Sequence, residues 1–523
     1  MIESYEVATV RAAEAVVLAQ VPPGALMQRA ASALAVAVVR ELRRCRARVT
    51  GARVVLLVGS GDNGGDALWA GARLARRGIR VDAVLLGGRA HPEGLAALTG
   101  AGGRVARPGA EPGARGGCPL ELLRAADLIV DGVVGLGAAP GLRPVAAALV
   151  TQVPAGVPVV AVDLPSGVDP DSGETPGPFL PATLTVTFGT AKPCLLLPPA
   201  AHAAGRVEVV DLGLRPYLSG KPSVTRLDPA DVAAAFPVPG RDQDKYRRGV
   251  LGVVAGTDRY PGVAVLACAG ALATGVGMVR YLGPATPTAL VLASHPEVVP
   301  GPGRVQAHVL GCGVDPGDGE RLAEIRAALA TGLPAVADAG ALAALPARCD
   351  GPVLATPHAG ELARLLTDRG LAATREQVEE RPLWHARRAA AETGATVLLK
   401  GAVTVVADPS GSVRTAATAP AWLATAGAGD VLAGIAGALL AAGLTPFAAG
   451  SLAAVLHGLA ARAAGRGGPV TASAVARAVP EVVAACLRGA PGPDGTGRVA
   501  GAEEPANGTG RGRTVGPGLR RGR

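Results

Sequence analysis

RVVLLVGSGDNGGDALWAGARLARRG, residues 53–78, decides the fold. A short apolar run rich in β-formers (53–60) passes through a glycine-rich turn into an Ala-rich stretch with helical spacing (66–78). A strand, a glycine turn and a helix in that order are the unit of a parallel sheet with crossover helices. The unit recurs outward from there. IRVDAVLLGG (79–88), ADLIVDGVVG (126–135), VPVVAVDLPSG (157–167) and ATLTVTFG (182–189) continue the first series, in the order of a doubly wound sheet.

Between Ser219 and Pro239 the pattern loosens into a Pro-containing connector, and a second series opens with GVLGVVAG (249–256). VQAHVLGCG, LPAVADAG, GPVLATPHAG, ATVLLKG and VTVVAD follow, and three Ala-rich helical stretches lie between Gly429 and Leu487. A chain of 523 residues exceeds what one core usually organises. The expectation is therefore an α/β protein of two three-layer αβα domains, 1–222 and 228–489, with the boundary near residue 225. Gly, Pro and charge without periodicity make 490–523 an expected disordered tail.

Composition excludes several classes. Hydrophobic residues make up 49% and aromatics 2%, which suits packed α/β layers and not a disordered chain. The formal charge of +9 is partly the tail's, through Arg498, Arg511, Arg513, Arg520, Arg521 and Arg523. No basic run interleaved with aromatics occurs, so nucleic acid is not an expected partner. Cys45, Cys118, Cys194, Cys268, Cys312, Cys349 and Cys486 are scattered, odd in number and without a CxxC pair, against both a disulfide framework and a zinc site. The N-terminus lacks the order of a secretory signal. Gly262 to Val279 is the longest apolar run, but Ala and Gly dominate it, so it reads as a buried helix and not a membrane span. A cytoplasmic location is expected. Only four lysines occur, Lys192, Lys221, Lys245 and Lys400.

GSGDNGGDA (59–67) joins a strand to a helix, where glycines let the backbone approach a ligand and unpaired helix amides face an anion. A nucleotide phosphate fits there. Asp62 and Asp66 flank Asn63, and Asp131 and Asp163 follow hydrophobic strands at the carboxyl edge, where open α/β sheets bind ligands. DGVVGLGAAPGLR (131–143) and DLPSGVDPDSG (163–173) converge on the same edge, the second coupling a carboxylate to Ser166. Oxygen donors from Asn63, Asp131 and Ser166 suit a hard cation. Each residue alone also reads as a loop cap; four acid- and glycine-rich strand ends in one domain do not.

GSGDNGGDA, VDGVVGLG, AVDLPSGVDPDSG and TVTFGTAKP together resemble the NAD(P)H-hydrate epimerase domain over residues 1–215. The resemblance implies substrate-binding loops at Asp62, Asn63, Gly64, Gly65 and Asp66 and at Gly135, Leu136, Gly137, Ala138, Ala139, Pro140 and Gly141. It makes Asp163 a substrate and acid/base residue, and Asn63, Asp131 and Ser166 potassium ligands. Asp62 stands where the family usually has Asn, and Ala67 where Gly is common.

In the second series, LATAGAGDVLAGIAGALLAAG (423–443) sets small residues before Asp430 and a long apolar helix. Amides of Ala426 to Gly429 at that helix start suit a migrating phosphoryl group, and Asp430 suits proton abstraction from an attacking hydroxyl; the plain alternative is a helix cap. LLKGAVTVVA (398–407) adds a Lys-Gly pair at a strand end, and ATPHAGELARLL (355–366) places His358 beside a helix start. With KYRRGVLGVVAGTDRYPG, ADAGAL and SHPEVV, these motifs resemble the ADP-dependent NAD(P)H-hydrate dehydratase, of ribokinase-like fold, from about 240 to 487. The resemblance implies nucleotide binding by Lys400, Gly401, Ala402, Val403, Thr404 and Gly429. It implies hydrate binding by Val263, Gly313, His358 and Asp430, and magnesium with ADP. Val263 and the GCGVD segment depart from the family's usual Ala and GPGLG.

The function these readings imply is epimerisation of R and S NAD(P)H hydrates followed by dehydration of the S form with conversion of ADP to AMP and phosphate. Asp163 and Asp430 would be the catalytic residues. The expected partners are NADH and NADPH hydrates, ADP and further copies of this chain, with neither nucleic acid nor membrane. Two other readings share some motifs: a ribokinase-like small-molecule kinase fused to a regulatory domain, and a first domain that binds without catalysing. The kinase reading leaves the N-terminal constellation unexplained, and the binding reading sits poorly with an intact Asp163 and Asn63.

Overall fold

A computed structural model describes residues 1–489 apart from 47, 110–116 and 138. The tail at 490–523 and Ala138 lie outside the described residues. Two sheets organise the chain, one of seven strands and one of eleven.

The seven-stranded sheet runs in the order Arg104–Ala106, Arg80–Leu85, Arg53–Val58, Leu128–Gly132, Val159–Val162, Leu184–Phe188, Arg206–Val210, every pair parallel. Residues of Arg53–Val58 alternate between two cores. Val54, Leu56 and Val58 pack on one face, Val55 and Leu57 on the other, which fixes the sheet as the middle of three layers. Chain order reverses between Arg53–Val58 and Leu128–Gly132, opening a crevice at their carboxyl ends.

The helix after the first of these strands begins at Asp62, four residues earlier than the stretch read as helical, so Asn63 to Asp66 lie inside its opening turns. Paired glycines ordinarily oppose a helix. Here close packing accounts for them: a Cβ on Gly64 would stand 2.3 Å from the Gly59 carbonyl oxygen, and one on Gly65 would stand 2.8 Å from the Met27 methyl carbon.

The eleven-stranded sheet runs Ile2–Ser4, Val224–Arg226, Val413–Ala416, Thr404–Ala407, Thr396–Leu399, Val353–Ala355, Ala335–Ala337, Ala307–Leu310, Val250–Val254, Met278–Tyr281, Val299–Pro300. From Thr396–Leu399 to Val299–Pro300 the pairing is parallel, and the order reverses between Val250–Val254 and Ala307–Leu310. Here too residues of one strand serve both faces, Leu251 and Val253 on one and Val254 on the other. The two three-layer α/β units are thus the expected architecture.

The units are joined by more than a connector. Ile2–Ser4 pairs antiparallel with Val224–Arg226, which pairs with Val413–Ala416, so the first strand of the chain edges the second sheet. Leu196 and Leu197 sit in one core with Leu310, Ala337 and Val397, the Arg226 guanidinium donates to the Leu196 carbonyl at 2.9 Å, and Arg381 meets Glu174 at 2.9 Å.

The apolar run 262–279 is not one helix. It forms the helix Pro261–Ala273, a turn, and the strand Met278–Tyr281. Among the described residues one helix, Pro446–Gly465, is long and apolar enough to cross a membrane, and 67% of its apolar window is buried against the rest of the chain.

The helices Pro261–Ala273 and Ala428–Ala441 cross at backbone contact: a Cβ on Gly434 would stand 2.1 Å from the Ala267 carbonyl oxygen, and one on Gly270 would stand 2.4 Å from that of Val431. Gly434→Val forces these helices apart and should lower stability in urea unfolding by about 3 kcal/mol. Gly319→Ala, with nothing within 4 Å of its new Cβ, should leave it unchanged.

Candidate active sites

At the first crevice lies a cavity of about 1180 Å³. Asp62, Asn63 and Asp66 line it from the helix Asp62–Ala75, and Gly135, Leu136, Gly137, Ala139, Pro140 and Gly141 from the loop after Leu128–Gly132. Gly64 and Gly65 do not reach it; they are buried within the helix. Asp163 enters from the end of Val159–Val162 with a left-handed backbone, φ 69°, strained for a residue with a Cβ.

The Asp163 carboxylate is anchored on one side. Its Oδ1 accepts from the Thr187 hydroxyl at 3.0 Å, the Phe188 amide at 3.1 Å and the Lys192 ammonium. Lys192 is fully buried and donates also to Thr187 Oγ1 at 3.1 Å and the Phe188 carbonyl at 2.9 Å. Oδ2 has no protein partner among the described residues, so one oxygen is fixed while the other is left for a ligand. Lys192 lies within TVTFGTAKP, a motif from which no role for it follows. Its signal was a lysine in a chain with almost none.

Asp131 and Ser166 lie beneath the cavity, both fully buried. Ser166 Oγ donates to Asp131 Oδ1 at 2.6 Å, the Ser166 amide to Oδ2 at 2.8 Å and the Val133 amide to Oδ1 at 3.3 Å. Asn63 donates to the carbonyls of Val134 and Val162, and the Val134 amide donates back to Ser166 Oγ, which draws the three residues into one cluster. Burial pushes the Asp131 carboxyl up, and no cationic side chain among the described residues meets it. A buried, oxygen-rich pocket with an unneutralised carboxylate fits a hard cation.

Asp66 is also buried, its Oδ1 without a partner; burial and then the Asp163 charge push its carboxyl well above the usual range. Arg11, Glu14, His91 and Arg143 are further polar residues of the lining, and the sequence carries no local signal for them.

At the second crevice, Asp338 follows Ala335–Ala337, Lys400 follows Thr396–Leu399, and Asp430 opens the helix Ala428–Ala441 behind the left-handed Gly427. Lys400 Nζ bonds Asp338 Oδ1 at 2.8 Å and stands 3.6 Å from Glu361 Oε2; Thr356 donates to the same Asp338 oxygen at 2.8 Å. Burial pulls the Lys400 ammonium down, but Asp338 and Glu361 outweigh it and the net shift is upward. A Cβ on Gly429 would stand 3.6 Å from Lys400 Nζ, so the lysine and the helix start share one space. Cys312, Asp338 and Asp430 bring their ligand atoms within 4.8 Å of one another.

Gly401 and Ala402 form the exposed turn between two antiparallel strands, Val403 is buried and Thr404 begins the return strand. His358 caps the helix Ala359–Thr367, its Nδ1 accepting from the Gly360 and Glu361 amides at 3.1 and 3.2 Å, and its backbone bridges to Lys400. Val263 abuts Gly313, where a Cβ would lie 3.1 Å from the valine side chain. Asp338, within ADAGAL, carries the same strand-end signal as Asp131 and Asp163.

Burial first and the Asp338 charge second push the Asp430 carboxyl up to about 7. Ionising it therefore removes stability as pH rises from the ordinary carboxyl range through about 7, and none is lost below that range, where folded and unfolded states are both protonated. The advantage of Asp430→Asn over wild type in thermal unfolding should grow steadily from near pH 4 to near pH 8, where it reaches on the order of a few kcal/mol. Parallel pH profiles for the two proteins would refute this account of the site.

Comparison with known proteins follows the same division. A family model described as NAD(P)H-hydrate dehydratase matches residues 251–479, and one described as YjeF-related protein N-terminus matches residues 23–194. The chain is 46% identical over 456 residues to a bifunctional NAD(P)H-hydrate repair enzyme Nnr of Mycobacterium tuberculosis, covering 84% of this chain and 89% of that one. It is 43% identical over 230 residues to an NAD(P)H-hydrate epimerase of Microbacterium testaceum, covering 43% of this chain and 84% of the relative. Half of the chain is similar to the crystal structure of an ADP/ATP-dependent NAD(P)H-hydrate dehydratase from Bacillus subtilis co-crystallized with ATP and Mg2+, at 25% identity, 99% of that chain covered and a TM-score of 0.46.

Proposed function

This chain belongs to the family of bifunctional NAD(P)H-hydrate repair enzymes, and we propose how its residues divide that work. It is an enzyme that restores hydrated nicotinamide nucleotides, with the epimerase in the N-terminal half and the dehydratase in the C-terminal half.

In our reading the hydrate occupies the first cavity, its phosphates against the start of the helix Asp62–Ala75 and the loop Gly135–Gly141, and the C6 hydroxyl beside Asp163 Oδ2. Protonating that hydroxyl lets water leave as the ring nitrogen's lone pair forms a double bond to C6, and water returns to either face. The half-anchored Asp163 carboxylate carries this assignment. Lys192 positions it, holding Oδ1 so that Oδ2 stays directed at the substrate. Asn63, Asp131 and Ser166 would hold potassium, which supplies the positive charge that the buried Asp131 otherwise lacks.

In the second site the nucleotide, ADP in this reading, lies along Lys400 to Thr404, with its terminal phosphate between Lys400 and the amides at Gly429. The S hydrate lies against Val263, Gly313 and His358. Asp430, its proton affinity raised, takes the proton of the C6 hydroxyl as that oxygen attacks the terminal phosphorus and the bond from that phosphorus to AMP breaks; the C6–O bond then breaks as the ring nitrogen's lone pair forms N1=C6, phosphate leaves, and loss of a proton from C5 to solvent gives the dihydropyridine. Asp338 orients Lys400. Asp338 and Asp430 offer hard oxygen donors that would hold magnesium near the nucleotide, where it would supply positive charge to the phosphates.

Recovery of dihydronicotinamide absorbance from mixed R and S NADH hydrate, with ADP and magnesium, tests both assignments. Wild type should restore the whole mixture, Asp430→Asn none of it, and Asp163→Asn the S portion promptly with the R portion left at its spontaneous rate. Full epimerisation by a folded Asp163→Asn would move the role elsewhere. Potassium added to potassium-free protein should raise the melting temperature, and Asp131→Asn should abolish that rise; an equal rise in both would remove Asp131 from the cation site.

A further inference from the structure

The helix Val7–Leu18 precedes the 23–194 stretch matched by the N-terminal family model, yet it walls the epimerase cavity with Arg11, Glu14 and Leu18. Arg11 and Glu14 are one turn apart and share a face. The Arg11 guanidinium reaches the loop opposite: a Cβ on Gly137 would stand 2.6 Å from Arg11 Nη2. The helix is fixed at its start, where the Val7 amide donates to Asp171 Oδ1 at 2.8 Å.

Glu14 is half-buried on this wall, and its carboxylate makes no hydrogen bond among the described residues. The charges around it belong to the site: Lys192, Asp163 and Asp62 from other elements and Arg11 from its own, with Asp66 in turn affected by Glu14.

An epimerase that expels water from a carbon and readmits it on the other face needs proton transfer on both faces. Asp163 approaches from a strand end and serves one. We propose that Glu14 is the second proton-transfer residue of the epimerase, serving the face of C6 opposite to Asp163. This rests on the assignment of Asp163 above. In one direction the Asp163 carboxyl gives its proton to the hydroxyl oxygen, the C6–O bond breaks, the nitrogen lone pair forms the N1=C6 bond and water leaves. A water on the other face then bonds C6, the π pair returns to nitrogen, and the water's proton passes to the Glu14 carboxylate. The two carboxyl groups end with their protonation exchanged, and solvent resets them; the reverse direction starts from Glu14. Burial raises Glu14 above the usual carboxyl range, and Asp163 and Asp62 add to this against the pull of Lys192 and Arg11, which favours a protonated Glu14 as donor for that reverse step.

The test uses the full chain and NADH hydrate carrying ¹⁸O in its C6 hydroxyl, following both epimer interconversion and label loss to water. Glu14→Gln should slow interconversion about 100-fold in kcat with little change in KM. It should still let one epimer lose its label without inverting, because Asp163 continues to expel and return water at its own face. Asp163→Asn should confine inversion-free label loss to the other epimer. Dehydration of the S hydrate by Glu14→Gln at the wild-type rate, with an unchanged thermal unfolding profile, shows that both units of the variant are folded. Interconversion by Glu14→Gln at the wild-type rate, or label loss falling equally in both epimers, overturns the proposal while leaving the Asp163 assignment standing. Wild-type protein that dehydrates S hydrate but never interconverts the epimers sinks both.

Discussion

A lysine ammonium closed on a strand-end aspartate is the interaction on which each half depends. Lys192 meets Asp163 at the first crevice and Lys400 meets Asp338 at the second. Parallel sheets gather the carboxyl ends of their strands at one edge, and the chemistry needs carboxylates there. A buried carboxylate costs several kcal/mol unless a partner neutralises it and fills its lone pairs. Lysine does this with a compact charge on a flexible stem that takes one aspartate oxygen, leaving the other open at Asp163 and to the Cys312 thiol at Asp338; the forked guanidinium of arginine favours taking both. The chain has 51 basic residues but only four lysines, and the two outside these sites, Lys221 and Lys245, are exposed.

What the sequence makes legible is what neighbouring residues determine. The strand runs, the glycine turns after them and the acids at Asp131, Asp163 and Asp430 each show within about ten residues, and each stands where the alternation of strand and helix puts it. Helix starts were less legible. Gly64 and Gly65 read as a loop because glycine is a poor helix former, whereas in the fold the Gly59 carbonyl leaves no room for a Cβ at Gly64 and the Met27 side chain crowds one at Gly65. The run 262–279 read as one helix because hydropathy does not register the turn at Thr274 to Gly277, which ends the helix and begins the strand.

Partnerships across the chain were not legible. Lys192 lies 29 positions from Asp163, and Asp338 lies 62 from Lys400. Neither spacing carries a local signal, and only the sheet order brings the pairs together. Arg11 and Glu14 sit on a helix whose composition resembles any surface helix; the loop it covers is more than a hundred residues away. The strands Ile2–Ser4 and Val224–Arg226 are three residues each and partly polar, too short for periodicity to reveal.

The first of those strands changes what counts as a part of this molecule. Because Ile2–Ser4 edges the second sheet while the next helix walls the first cavity, the chain leaves one unit, builds the other and returns, as a buckle passes back through its own strap. Severing it near residue 222 would yield two pieces, neither of them whole. The C-terminal piece would lack a border strand, and the N-terminal piece would hold its Arg11 and Glu14 helix with nothing to fasten the strand before it. Lengthening the connector between such units disturbs neither sheet, whereas separating them leaves the second sheet to acquire a new edge and the first unit to fasten its opening strand elsewhere.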